Sequence, residues 1–171
     1  MKFMNVYEDD ILYYTIVKKD DMPGDCDTKK ARYLLGWMLN YFGMYCPAIS
    51  VSEHGKPYFK DLDVCFNYSH SKSYIACAIS SCDVGIDIED SDRKVSDTVS
   101  KKYLDGEVDD KEKLVKWVQK EAYSKFVGLG IPIIRDISLS NIFDKSIIVR
   151  NEDYVCCVCS DCREFKEIKL V

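Results

Sequence analysis

Histidine is scarce in this sequence and long apolar runs are missing. The 171 residues hold two histidines, four prolines and eight glycines. No run of about 18 apolar residues occurs, so no membrane-spanning helix is expected. The opening MKFMNVYEDD turns acidic before an apolar stretch of leader length can form, and a cytoplasmic protein is the expectation. Basic residues are outnumbered, 24 Lys and Arg against 29 Asp and Glu; the net charge of −5 argues against duplex nucleic acid as a partner. Without a Gly-x-Ser-x-Gly elbow, a hydrolase triad around His70 is discounted. No second Cys-x-x-Cys and no nearby histidine accompany Cys159 and Cys162, which leaves the cluster Cys156, Cys157, Cys159 and Cys162 short of zinc ligands. No low-complexity linker divides the chain, so one domain, or two small halves sharing a core, is expected.

What is present is a soluble-globule composition, 47% hydrophobic, with nine cysteines. An odd cysteine count without an export signal reads as reduced thiols. Tyr154–Cys159 alternates like a strand, with Val155, Cys157 and Cys159 on one face, and is expected to pack in a core. Val6–Val17 reads as a strand or two. Thr28 is positioned to cap a helix whose apolar residues Ala31, Leu34, Leu35, Met38, Leu39 and Phe42 form one stripe. Lys29, Lys30 and Arg32 crowd its start, either to hold an anion or as plain surface charge. His54-Gly55-Lys56-Pro57 is a turn that displays Lys56 on a rigid corner. Val64–Asn67 and Ser73–Ser80 read as strands, and Ser81–Asp83 is expected to fold Ser73–Ser80 and Val84–Asp90 into a hairpin. A short helix is read from Val95, Val99 and Tyr103, and a long one over Lys111–Val127 from Leu114, Val118, Ala122 and Phe126. Gly128 and Pro132 end it. Ile131–Ile137, Ser138–Phe143, Ser146–Arg150, Tyr154–Cys159 and Glu164–Leu170 are expected to supply a C-terminal sheet.

Three places carry candidate chemistry. Asp87 and Glu89 stand two apart in the strand VGIDIED and share a face, which is costly unless a cation lies between them or the face is solvated. Ser69, His70 and Ser71 end a strand and offer hydroxyl and imidazole donors that suit a phosphate. Glu121 and Lys125 lie one turn apart on the shoulder of the long helix, either as a cleft wall or as an ordinary exposed pair.

Four blocks follow one another: Gly55-Lys56-Pro57; Phe66-Asn67-Tyr68-Ser69-His70-Ser71; Gly85-Ile86-Asp87-Ile88-Glu89; and Trp117-x-x-Lys120-Glu121-Ala122-x-x-Lys125-x-x-Gly128-x-Gly130. Their order and spacing over roughly Arg32 to Gly130 resembles the 4′-phosphopantetheinyl transferases of the surfactin-synthetase-activating type. Tyr103-Leu104-x-x-Glu107 is similar to a further element of that family. The resemblance implies an α+β fold of two pseudo-symmetric halves, residues 1–82 for the coenzyme nucleotide and 83–171 for metal and catalysis, each with antiparallel strands on a long helix. It implies a monomer that moves the phosphopantetheine arm of coenzyme A to a serine of an acyl, polyketide or peptidyl carrier protein and releases 3′,5′-ADP. Asp87, Glu89 and Glu121 would hold Mg2+, or Mn2+. Glu121 would serve or position the base, Lys125 would neutralise or protonate the leaving phosphate, and Arg32, Lys56, Ser69 and His70 would grip the coenzyme, with Lys29 and Lys30 as stand-ins for basic residues missing ahead of the first helix. A non-catalytic coenzyme A or carrier-binding module and a metal-dependent phosphohydrolase are the rival readings.

Overall fold

The structure is a computed structural model and describes residues 10–104 and 109–170. Strand β1 (Ile11–Lys18) leads through a 3-10 turn to helix α1 (Asp27–Tyr41). The six apolar residues of the expected stripe, Ala31 to Phe42, are all buried, because a 3.6-residue period keeps them on one side of the helix. The cap differs from expectation. Cys26 occupies the N-cap without a side-chain bond and Thr28 lies inside the first turn, where Asp27 takes over by facing Lys19 at 2.7 Å and favouring the helix dipole.

A two-stranded ribbon, β2 (Ile49–Val51) with β3 (Pro57–Phe59), precedes β4 (Cys65–His70) and β5 (Tyr74–Ser80). Then come β6 (Val84–Asp90), α2 (Asp97–Tyr103) and α3 (Asp110–Val127). Ser96 caps α2 by accepting from Val99 N–H; Asp109 caps α3 by accepting from Lys111 and Glu112 N–H. Gly128 closes α3 in the left-handed region at φ 74°, which only glycine enters without strain. Helix α4 (Ser140–Phe143) and strands β7 (Ser146–Arg150), β8 (Tyr154–Ser160) and β9 (Glu164–Glu167) complete the chain. The two segments read as strands over Ile131–Phe143 are instead a 3-10 stretch, Ile131–Asp136, and α4. The β-branched isoleucines suggested extension, but Pro at the start of the stretch and Gly130 at φ 71° set a helical turn.

The strands form two main sheets, β4-β5-β1-β9 and β6-β8-β7. In the first, β9 runs parallel to β1 while the other pairings are antiparallel. The expected hairpin of β5 with β6 does not form: β5 has β4 and β1 on its two edges, and β6 pairs with β8. Both edges of β5 being taken, residues Ser81–Asp83 carry the chain from one sheet to the other, a turn helped by the Ser80 hydroxyl, which accepts from Cys82 N–H at 3.0 Å.

Three apolar clusters define four layers. Alternate residues of β1, β4 and β5, among them Tyr13, Phe66, Ile75 and Cys77, pack on α1. The opposite faces, with Leu12, Tyr14, Ala76 and Ala78, meet Val84, Ile86, Ile88, Cys156 and Val158 of the second sheet. Val155, Cys157 and Cys159 turn outward to the α3 side, as the alternation of β8 foretells. The order is α1, first sheet, second sheet, α3, and each fully buried Leu or Ile contributes roughly 1.5–3 kcal/mol to holding it.

Candidate functional site

Strand β6 divides its residues cleanly. Val84, Ile86 and Ile88 enter the core between the sheets, so Gly85, Asp87 and Glu89 face α3. Gly85 is what lets α3 come close. A Cβ there would stand 2.1 Å from the Ala122 carbonyl oxygen and 2.3 Å from Phe126 N, inside any van der Waals contact. Glu121 and Lys125, flanking Ala122 and one turn apart, are thereby laid over the acidic residues of β6.

Strand β4 delivers the other wall. Phe66 and Tyr68 pack toward α1, so Asn67 and Ser69 point the opposite way, toward β6. The Asn67 side-chain oxygen accepts from Ile86 N–H at 3.1 Å, and the Ser69 hydroxyl donates to Asp87 Oδ1 at 2.8 Å. Lys125 Nζ meets the same oxygen at 2.7 Å and reaches Ser69 Oγ at 2.9 Å and the Ile86 carbonyl at 3.2 Å. Asp87 is 2% exposed, and its second oxygen, Oδ2, is buried with no hydrogen-bond partner among the described residues. A carboxylate oxygen in that position is expensive unless a cation completes it.

Glu121 supports that inference. Its carboxyl is pushed up to about 7, first by burial, then by the negative charge of Asp87, against the opposing pull of Lys125 and Arg93. Two carboxylates that raise one another's cost form a site short of positive charge. Glu89 lies on the same face, half-buried and ion-paired with Arg93. Asp87, Glu89 and Glu121 do not gather their oxygens into a shell: among the described residues, the one trio of acid, cysteine or histidine ligand atoms all within 4.8 Å of one another is Asp10, Cys82 and Cys162. Hard oxygen donors of this kind suit Mg2+ or Mn2+, which take few carboxylates and keep water. Asp87 Oδ2 and Glu121 therefore fit such an ion.

Beside this centre lies a cavity of ≈ 320 Å³ lined by Arg32, Lys56, Asn67, Tyr68, Lys125 and residues of the β2–β3 turn. Arg32 has no ion-pair partner among the described residues. Lys56 donates to the Phe126 carbonyl at 2.8 Å and to Asp83 at 2.7 Å, so it ties the β2–β3 ribbon to the end of α3 with its ammonium on the cavity wall. Arg32, Lys56, Ser69, Asp87, Glu121 and Lys125 are thus brought into one neighbourhood. His70 is set apart: it is exposed at the end of β4, with Nδ1 3.3 Å from Asp27. Lys29 and Lys30 are engaged elsewhere, with Asp25 and with the Lys19 carbonyl. Glu107 lies outside the described residues.

Two contributors were not singled out from sequence. Asn67 reads there as a polar interruption in an apolar strand; its position inside VCFNY was the available signal. Asp90 closes the acidic strand and accepts from Lys72 N–H at 2.8 Å and Ser73 N–H at 3.2 Å, fixing the β4–β5 turn to the end of β6.

The sequence has parallels among known proteins. No family model matches the chain. It is 37% identical over 94 residues to a 4′-phosphopantetheinyl transferase, gsp, of Aneurinibacillus migulanus, covering 48% of this chain and 38% of that protein. It is 32% identical over 100 residues to a 4′-phosphopantetheinyl transferase of Bacillus subtilis (52% and 45%) and 34% identical over 99 residues to the 4′-phosphopantetheinyl transferase Sfp of Bacillus subtilis strain 168 (51% and 44%). The matched stretch spans less than half the length of each of these relatives. The likeness to this family read from the four sequence blocks is thus met again in matches over about half of the chain.

Proposed function

We propose that this chain transfers the 4′-phosphopantetheine arm of coenzyme A to a serine of a carrier protein, releasing 3′,5′-ADP, with a divalent metal held at Asp87, Glu121 and Glu89. The observation that carries the reading is the buried, partnerless Asp87 Oδ2 set beside Glu121 and Lys125. The similarity to three named phosphopantetheinyl transferases supports it.

Splitting a pyrophosphate gathers negative charge on the leaving oxygens, and a bound Mg2+ or Mn2+ supplies electrostatic stabilisation of that charge. Lys125 adds a fixed positive charge from the helix. Glu121, an ionised carboxylate beside the metal, suits a group that takes or positions the proton of the carrier serine. Arg32 and Lys56 present cations to the nucleotide phosphates along the cavity. Ser69 orients Asp87, and His70 adds a donor at the exposed end of β4. The division into a nucleotide-holding half, 1–82, and a catalytic half, 83–171, acting as a monomer with an internal twofold relation, belongs to the same proposal.

The test is incubation with coenzyme A, Mg2+ and an apo-carrier protein, read by intact mass. A carrier heavier by one phosphopantetheine group supports transfer. Coenzyme A cleavage without carrier modification supports a hydrolase instead, and binding of coenzyme A without either change supports a binding module. Omitting Mg2+ should abolish the mass gain.

A further inference from the structure

A second constellation, remote in composition from the acidic centre, gathers where the two sheets exchange chain. Cys82 follows β5 in the connection to β6, Cys162 follows β8 on the way to β9, and Asp10 immediately precedes β1. Their two sulfurs and a carboxylate oxygen all lie within 4.8 Å of one another. The cysteines are held by matching turns. Ser80 Oγ accepts from Cys82 N–H at 3.0 Å, and Ser160 Oγ accepts from Cys162 N–H at 3.3 Å. Each is a Ser-x-Cys turn in which the hydroxyl fixes the backbone two residues on. Ser80 Oγ also lies 2.9 Å from Cys162 Sγ, and Ser160 Oγ donates to the Asp83 carbonyl at 2.7 Å, which binds the two turns together.

We infer that Asp10, Cys82 and Cys162 form a binding site for a thiophilic divalent cation, Zn2+ being the natural occupant, with water as fourth ligand. Two thiolates and a carboxylate form a donor set for a tetrahedral zinc ion. With Zn–S bonds of about 2.3 Å, tetrahedral sulfurs stand about 3.8 Å apart, and the cluster's ligand atoms all lie within 4.8 Å of one another. The Ser80 hydroxyl is placed to hydrogen-bond a ligating sulfur, as groups around metal ligands commonly do. Asp10 is also ion-paired with Arg163 at 3.2 Å, so its carboxylate is anchored at one side and Arg163 offsets part of its charge. Binding releases the two thiol protons to solvent. It would join the start of β1, the exit of β5 and the exit of β8, a tie across both sheets.

The test uses the 171-residue chain, reduced, stripped with chelator and kept in excess Mg2+ so that hard-oxygen sites are filled. It is titrated with Cd2+, read by thiolate-to-metal charge-transfer absorption, and with Zn2+ in competition with a chromophoric chelator. One equivalent of each is expected to bind. The charge-transfer band should vanish in Cys82→Ser and in Cys162→Ser and persist in the Cys26→Ser/Cys46→Ser double variant, circular dichroism reporting that each variant folds. Asp10 is exposed, so Asp10→Asn carries little folding risk, and it should weaken Zn2+ binding by about tenfold or more. Absence of a stoichiometric band, a band that survives loss of Cys82 and Cys162, or unchanged affinity in Asp10→Asn would each overturn the assignment. So would recovery of a Cys82–Cys162 disulfide from protein that takes up no metal.

Discussion

Asp87 gives one carboxylate oxygen to Lys125 at 2.7 Å and leaves the other buried and unpartnered. Lys125 is thus a resident counter-ion covering half of a charge deficit. Replacing Asp87 with Asn should lower transfer by about 100- to 1,000-fold, the loss typical of removing one transition-state charge stabiliser. Melting temperature measured with and without Mg2+ should show the ion-dependent rise of the wild type absent in this variant.

Lys125→Ala removes the one cation that touches Asp87 among the described residues and strands a buried carboxylate. Stability of the metal-free protein should fall by about 2 kcal/mol, a buried-pair penalty reduced for the solvent around Lys125. Mg2+ should then raise its denaturation midpoint by more than it raises that of the wild type. An equal rise in both would speak against the ion and Lys125 serving the same carboxylate.

Glu121 makes the metal-free fold sensitive to pH. Its folded value, about 7, exceeds its ordinary 4.5, so the native state retains a proton that the unfolded chain has released. Stability therefore falls as pH rises from about 4.5 to 7, by up to about 3 kcal/mol, and the penalty is complete above 7. Urea unfolding in EDTA at pH 5.5 and pH 8 should show the decline in wild type and a much flatter response in Glu121→Gln.

Gly85→Ala asks α3 to retreat from β6. Since the added Cβ would strike the helix backbone at Ala122 and Phe126, overpacking should cost about 1–3 kcal/mol. Transfer should suffer more than stability, because Glu121 and Lys125 ride on the displaced helix. Circular dichroism with steady-state rates separates the two effects.

The nine thiols should divide by exposure. Cys26 and Cys46 are exposed, while Cys77, Cys156, Cys157 and Cys159 are buried, and burial raises Cys77 and Cys156 well above the usual thiol range. Cys82 is pushed up to about 11 by burial and by the neighbouring Cys162. Alkylation of native protein at pH 8, followed by peptide mapping, should mark Cys26 and Cys46 first and the five buried thiols, Cys162 with the four above, only after denaturation.

What sequence could disclose depended on range. The stripes of α1 and α3 were legible because each is a local 3.6-residue pattern, and Asp87, Glu121 and Lys125 stood out because charge interrupted strand and helix at fixed offsets. The partition of β5 and β6 was not legible, since a three-residue link reads the same whether its strands pair or part. Only β1 and β4 on the flanks of β5 decide it, and β1 is about sixty residues away in sequence. The isoleucines of 131–137 carried strand propensity that Gly130 and its proline neighbour overruled. Asn67 mattered only once β6 arrived with a free N–H at Ile86. Likewise, the Ser-x-Cys tripeptides at Ser80 and Ser160 became partners only through packing.

The parallel pairing of β9 with β1 has a bearing on how the molecule is born. As the ribosome reads along the message, Ile11–Lys18 emerge ahead of the other described strands with a bare row of amides and carbonyls along one side. That row finds its native neighbour only when Glu164–Glu167 clear the exit tunnel. Until then a nascent polypeptide carries an adhesive flank, and completion of its first layer waits until the strands from β2 to β8 have been made.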